Sequence, residues 1–211
     1  MMRAWFQFTL DWGYLGVFVM MALESTIIPI PSEIILPPAA YWAEQGRFNI
    51  YGIILAGGAG STFGSSLCYW FTYTVGRAFV ARWGKWFLLP PQRLELAERW
   101  LAQYALGGIF FARLLPVVRH LIGFPAGLVR VPFARFALIT FAGSTLWSGV
   151  LAFFGARTIG RRPDLLDDPD ALSHVLKDDL LWFVLLVAGL GAGWLFVKWF
   201  GSRGRAASEV S

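Results

Sequence analysis

The chain has 211 residues, of which 57% are hydrophobic and only 15% are charged, and its formal net charge is +5. A typical soluble domain has about 25% charged residues, whereas residues 48–76, 136–156 and 180–197 of this chain hold none. Each of these runs is long enough to cross a hydrocarbon core of about 30 Å as a helix. The composition therefore excludes a soluble domain and predicts an all-α polytopic membrane protein, a single membrane domain over residues 1–211.

The excess of basic residues does not indicate a nucleic-acid partner, because these residues flank the apolar runs. That position is typical of residues that set membrane orientation and contact anionic lipid headgroups. The single cysteine, Cys68, has no partner for an intrachain disulfide. The sequence also contains no metal-binding motif such as H-E-x-x-H and no phosphate loop, so we expect no metal and no cofactor.

The first half of the chain predicts one helix, one interrupted segment and one span. The helix covers Trp5–Leu23, and we expect it to be retained because Asp11 interrupts the apolar region that a signal peptide would need. The interrupted apolar segment Ser25–Ala43 follows, and then the span Ile50–Val75. In residues 77–103, Arg, Lys and Glu alternate with Trp, Phe and Leu, which predicts an interfacial amphipathic segment.

The second half repeats this order. A second interrupted apolar segment covers Leu106–Leu128, followed by the span Phe133–Ala156. Residues 161–179 are acidic and polar and predict an extracytoplasmic loop, and residues 180–200 predict the last transmembrane helix.

The positive-inside rule fixes a topology for these elements. One arrangement places eleven Lys and Arg residues on the cytoplasmic side and five on the other. It requires the two interrupted segments each to enter and leave by the same face. We therefore predict two re-entrant helical hairpins, about four full transmembrane helices, a cytoplasmic interfacial segment at 77–103 and two cytoplasmic termini.

The tetrapeptide AGST indicates an internal repeat. It occurs at Ala59–Thr62 and again 83 residues later at Ala142–Thr145, and the same interval brings Arg47 onto Arg130. The repeat units would be residues 22–76 and 106–157, in opposite orientation. Inverted repeats of this kind place transporter sites near the membrane midplane. The alternative is that small residues and proline are simply common in membrane helices.

Four charged residues lie within or directly next to the interrupted segments: Glu24 and Glu33 at the first, Arg113 and Arg119 in the second. Each unpaired charge at the membrane centre costs roughly 2.5–3.5 kcal/mol, so four would cost about 10–14 kcal/mol. That is comparable to the whole stability of a typical domain, about 5–15 kcal/mol. These side chains must therefore be paired, hydrated, or both.

Prolines are expected to break both segments and let the charges converge. A continuous helix would point Glu24 and Glu33 to opposite sides, whereas proline ends a helix at the preceding residue. The expected hairpin breakers are Pro29, Pro31, Pro116 and Pro125.

Two interpretations of the charges remain. One is a structural lattice of Glu and Arg that locks the two repeats together. The other is a water-accessible cavity, in which the carboxylates exchange protons and the guanidinium groups bind an anion. Accessory candidates for such a cavity are His120, Ser61, Thr62, Ser144 and Thr145, although hydroxyl residues are also ordinary contacts between membrane helices.

From Glu24 to about Arg157 the chain resembles the DedA family of bacterial inner-membrane proteins, which share the SNARE-associated or VTT domain. The matching pieces are ESTIIPIPSE, GGAGSTFGSSLCYWFTYTVGR, FARLLPVVRHLIGFPAG and FARFALITFAGSTLWSG. The resemblance implies a non-enzymatic, proton-driven flippase for a lipid phosphate, with undecaprenyl phosphate the leading candidate. It also implies essential acids at Glu24 and Glu33 and essential arginines at Arg113 and Arg119.

Two other functions stay open at this point. One is an energy-independent phospholipid scramblase, and the other is a phosphatase or transferase acting on lipid phosphates. The sequence leaves the oligomeric state, the identity of the lipid and the coupling ion open.

Overall fold

The computed structural model describes residues 2–26, 32–83, 107–115 and 118–161, together with isolated positions at 99, 171, 175, 181, 185 and 189. These parts are helical and contain no strand, which confirms the predicted all-α class. The helices are α1 (Met2–Glu24), α2 (Ser32–Glu44), α3 (Ile50–Trp83), α4 (107–114), α5 (Val118–Leu121), α6 (Gly123–Leu128) and α7 (Phe133–Arg161).

The first interrupted segment begins after α1 and contains most of α2. Helix α1 bends at Gly13, whose φ of +53° is a left-handed conformation that glycine adopts readily, and it ends at Glu24. The hydroxyl of Thr26 donates to the carbonyl of Leu23 at 2.5 Å and so satisfies one of the terminal carbonyls. Pro29 and Pro31 lie outside the described residues.

Helix α3 bends where the predicted span ends. Gly76 has φ +77° and ψ 175°, and it follows Val75, the last residue of that span. Apart from the helical residues 77–83 and Arg99, the expected interfacial segment lies outside the described residues. The acidic loop 161–179 and the last helix 180–200 are described only at Arg161 and the isolated positions given above.

The second interrupted segment contains three short helices, α4, α5 and α6. Pro116 lies outside the described residues, between α4 and α5. Pro125 differs from expectation, because it lies inside α6 rather than at a break. It occupies the first turn of that helix, where the missing backbone N–H would have no intrahelical partner. Only Ile122 lies between α5 and α6, and its φ of −64° and ψ of −25° are helical, so the chain turns little there.

Helices α3 and α7 form an antiparallel pair at the centre. Along this pair Gly57 faces Ser148, Ser61 contacts Ser144, and the Tyr69 hydroxyl reaches the Val131 carbonyl at 2.6 Å. Helix α1 packs against α3 so closely that a Cβ on Gly64 would collide with the carbonyl oxygen of Ala22. Helix α2 packs on α7, and α6 packs on α3.

Large apolar side chains cover the outer faces of α3 and α7. Leu55, Phe63, Leu67, Leu138 and Phe153 are each more than half exposed. Soluble monomers rarely expose contiguous apolar patches of this kind, so these faces fit a lipid environment. Among the described helices, α7 is the one that passes a length and hydropathy test for crossing a membrane. The four spans and two re-entrant hairpins therefore stay predictions.

Candidate functional site

The site begins with an ion pair between two distant segments. Glu24, the last residue of α1, is 1% exposed, and Arg119 in α5 is 5% exposed. Their side chains form an ion pair through Arg119 Nη2 and Glu24 Oε1. The same Nη2 donates to Ser32 Oγ at 2.7 Å, and the guanidinium lies 5.1 Å from the ring centroid of Trp147. The end of α1, the start of α2 and the middle of α7 thus meet at one arginine.

Arg113 lies beside this pair, and no ion pair joins it to an acid within the part of the chain that the structure describes. It is 2% exposed, and its Nη1 donates to the backbone carbonyl of Arg119 at 3.0 Å. Its Nε and Nη2 have no hydrogen-bond partner within the described part of the chain. Gly143 of α7 allows this placement, since a Cβ there would lie 2.7 Å from Arg113 Cβ. A buried guanidinium with unused donors is costly and is well suited to bind an anion.

The buried charges at the site are mostly positive. Among the described residues, the charged side chains in the buried class are Glu24, Arg113 and Arg119. One carboxylate therefore faces two guanidinium groups. A bound anion would compensate this excess of one positive charge, because a buried charge is stable only when it is paired.

A chain of hydroxyl groups links the acid to the centre of the α3–α7 pair. Ser25 Oγ lies 3.4 Å from Glu24 Oε2 and 2.6 Å from Ser61 Oγ. Ser144 Oγ donates to Ser61 Oγ at 3.3 Å. Ser61 and Ser144 are equivalent positions of the two AGST tetrapeptides, so the two tetrapeptides meet at corresponding residues.

Some of the other predicted site residues lie close to the charged residues, and others do not. His120 Nδ1 is 3.9 Å from Glu24 Oε1, which places it at the site. Glu33 is half-buried and follows Ser32 directly. Thr62 donates to the carbonyl of Gly58 in its own helix at 2.7 Å, and Thr145 packs against Gly58 on α3. Neither threonine has a described contact with the charged residues.

Sequence reasoning missed Ser25, Ser32 and Trp147. Each serine stands next to an acid of the ESTIIPIPSE motif, and that adjacency is the signal that could have drawn attention to them. Trp147 lies mid-span rather than at an interface, where membrane tryptophans are enriched. Its indole N–H lies 3.5 Å from Ser32 Oγ, the oxygen that also accepts from Arg119.

The described residues offer no group of three or more His, Cys, Asp or Glu side chains that could hold a metal ion. The donor set at the site consists mainly of guanidinium groups and hydroxyls, which suit an oxyanion rather than a metal.

An apolar helical fold with a buried cluster of one acid and two arginines defines an integral membrane protein with a charged centre. The VTT domain family model matches residues 30–157, more than half of the chain. The chain therefore belongs to the VTT-domain, or DedA, family, as its sequence motifs predicted.

The names of the relatives include a transporter and a phosphatase-like protein. Undecaprenyl phosphate transporter A of Bacillus subtilis is 35% identical over 143 residues, covering 68% of this chain and 70% of the relative. The protein of that name from Staphylococcus aureus is 30% identical over 159 residues, covering 74% and 76%. An alkaline phosphatase-like protein of Lactococcus lactis subsp. cremoris is 32% identical over 151 residues, covering 69% and 71%. No solved structure matches the chain.

Proposed function

We propose that this chain is a transporter, a flippase that moves a lipid phosphate across the bacterial inner membrane, with undecaprenyl phosphate as the first candidate. The observation that carries the proposal is the buried guanidinium of Arg113, whose Nε and Nη2 lack partners among the described residues. A phosphate offers several acceptor oxygens, and the planar fork of arginine matches them bidentately. The transporter names of two relatives support the choice of lipid.

The ion pair of Glu24 with Arg119 suggests how protons couple to this movement. A phosphate held by Arg113 and Arg119 competes with Glu24 for the Arg119 guanidinium. A carboxylate that is shielded from water and no longer paired with a cation favours the protonated, neutral form. Glu24 would then take up a proton when the phosphate binds and release it when the phosphate leaves. Glu33 is the second proton carrier in this proposal, and His120 is an accessory group beside Glu24.

The proposal includes the predicted topology. Residues 22–76 and 106–157 form an inverted repeat, with two re-entrant hairpins, about four spans and both termini in the cytoplasm. The contact of Ser61 with its equivalent Ser144 across an antiparallel helix pair supports this relation. We expect a cysteine placed at Arg47 to react with an impermeant maleimide in intact cells, and one placed at Arg135 to react only after the membrane is opened.

The decisive experiment measures transport and stability together, using the full chain in vesicles that contain undecaprenyl phosphate. Arg113→Met should slow the exchange of lipid between leaflets roughly 10–100-fold, since two charge-assisted hydrogen bonds are lost. Its free energy of unfolding should stay within about 1 kcal/mol of the parent or rise, because an apolar side chain replaces unsatisfied donors. Transport is read from the leaflet exposure of the lipid at two pH gradients.

Two further variants sharpen this test. Arg119→Met should abolish transport. It should also lower the free energy of unfolding by about 3–5 kcal/mol, because Glu24 is left as an unpaired buried charge. Arg135→Gln is the matched control, since Arg135 is an exposed arginine at the start of α7, and it should change neither quantity. If Arg113→Met unfolds the protein but its folded fraction transports at the parent rate, the charges form a structural lattice and the proposal is wrong.

The same vesicles separate the alternatives. Movement that ignores the pH gradient and accepts many headgroups would identify a scramblase. Release of inorganic phosphate would identify a phosphatase, the activity suggested by the name of the Lactococcus relative. Either result would overturn the proposal of a proton-coupled flippase.

A further inference from the structure

A cleft of about 520 Å³ opens at one end of the α3–α7 pair, and we call it the open cleft. Its walls are the start of α3, with Ile50 and Ile54, and the second half of α7, with Gly149 and Phe153. Glu44 and Arg157 lie at the same cleft, with Tyr51 beside them. Ligand sites commonly measure about 300–1,000 Å³ and are mostly apolar with a few placed polar groups. The open cleft fits that description.

The internal repeat explains why this end is open. The opposite end of the helix pair, which we call the closed end, is filled by aromatic rings: Tyr69 lies 5.5 Å from Phe133 and 5.0 Å from Phe136, centroid to centroid. The repeat interval of 83 residues places Ala152 at the position of Tyr69, and Phe133 at the position of Ile50. A ring contact between the helices at one end is therefore replaced by alanine and isoleucine at the other.

The charged groups at the open cleft are not paired with each other in the described ion pairs, and the Arg157 guanidinium lies 6.0 Å from the ring centroid of Phe153. Glu44 and Arg157 are both exposed, and within the described part of the chain neither forms an ion pair. The cleft thus combines one anionic group, one cationic group and an apolar wall. Arg157 lies ten residues after Trp147 on the same helix, about 15 Å along its axis. The cleft is therefore separate from the anion site around Arg113 and Arg119.

We propose that the open cleft binds one zwitterionic phospholipid. Arg157 binds the phosphodiester, Glu44 binds the ammonium group, and the start of an acyl chain lies along Ile54 and Phe153. The charge pattern selects this class of lipid over a lipid phosphate, because a purely anionic headgroup would place its charge next to the carboxylate of Glu44. An arginine–phosphate contact and an ammonium–carboxylate contact satisfy both side chains at once.

The test is native mass spectrometry of the full chain in detergent, titrated with phosphatidylethanolamine or with phosphatidylglycerol. The parent should bind one phosphatidylethanolamine in preference to phosphatidylglycerol. Glu44→Gln should weaken phosphatidylethanolamine binding roughly two- to fivefold, as for an exposed charge contact, and remove the preference. Arg157→Gln should weaken binding of both lipids.

A cavity-filling variant tests the location. An added Cβ at Gly149 meets no atom within 4 Å, so Gly149→Leu should fold and extend its side chain into the cleft. It should weaken phosphatidylethanolamine binding by roughly tenfold. The matched controls are Ala142→Leu, on an exposed face of α7 outside the cleft, and Arg47→Gln, an exposed charge in the turn before α3. Both should bind lipid as the parent does.

Three outcomes would overturn the proposal. The first is equal binding by the parent, Glu44→Gln and Gly149→Leu. The second is a parent preference for phosphatidylglycerol, which would mean that Glu44 does not face the headgroup. The third is loss of a dimer peak in Gly149→Leu with no change in bound lipid, which would assign the cleft to a second copy of this chain.

Discussion

The closed end and the open cleft occupy equivalent places on one pair of helices, yet they are built differently. At the closed end, Tyr69 stacks on Phe136, and its hydroxyl reaches the Val131 carbonyl at 2.6 Å. At the open cleft, small side chains such as Ala152 and Gly149 leave room for a ligand. The two ends of this helix pair therefore differ, because aromatic side chains fill the closed end whereas small side chains leave a cleft at the other end.

The first test of this difference removes one ring from each end. Phe136 is fully buried and Phe153 is 58% exposed. Phe136→Ala should lower the free energy of unfolding by about 3–5 kcal/mol, because it leaves a cavity in a packed cluster. Phe153→Ala should change it by no more than about 0.5 kcal/mol. Unfolding of the full chain in mixed micelles measures both, and equal losses would show that the two ends are packed alike.

The second test adds one methyl group at each end. A Cβ on Gly127 would collide with the Tyr69 carbonyl oxygen and Thr72 Oγ1, whereas one on Gly160 meets nothing within 4 Å. Gly127→Ala should destabilise the protein by about 1–3 kcal/mol through overpacking. Gly160→Ala should be neutral or stabilise it by up to about 1 kcal/mol, because alanine favours helix over glycine. The free energy of unfolding of both variants is measured in the same way. A similar loss in both variants would show that the two ends are packed equally tightly.

The third and smallest test removes one hydroxyl at each end. Tyr69→Phe loses the hydrogen bond to Val131 and should cost about 0.6 kcal/mol, the average for such bonds between membrane helices. Tyr51→Phe is the control at the open cleft, where the ring is 74% exposed. Its thermal unfolding midpoint in lipid-free detergent should match that of the parent. A larger shift for Tyr51→Phe than for Tyr69→Phe would reverse the assignment of the two ends.

Much of the site could be predicted from the sequence because its parts are unusual in an apolar chain. The insertion cost of Glu24, Arg113 and Arg119 makes them candidates on sequence grounds alone, and the fold brings them together. The contributions of Ser32 and Trp147 could not be predicted, since Ser32 is 87 residues from the arginine it binds and 115 from the indole. Thr62 and Thr145 are candidates because of their residue type, and residue type does not tell which face of a helix a hydroxyl occupies.

The open cleft could likewise be predicted only in part from the sequence. The repeat aligns Tyr69 with Ala152, and that alignment is visible in the sequence itself. Whether the two residues occupy comparable places between α3 and α7 depends on how the helices cross, and no local pattern fixes that crossing.

The sequence by itself determined the membrane class, the family and the places where α1 and the main span of α3 end. The membrane class follows from the cost of charge in lipid, the bend of α3 from the conformational freedom of Gly76, and the family from the sequence motifs. Only the tertiary structure decided that Glu24 pairs with Arg119 while Arg113 keeps two donors without partners among the described residues. The reason is that an ion pair depends on the approach of segments far apart in the chain, and packing between helices sets that approach.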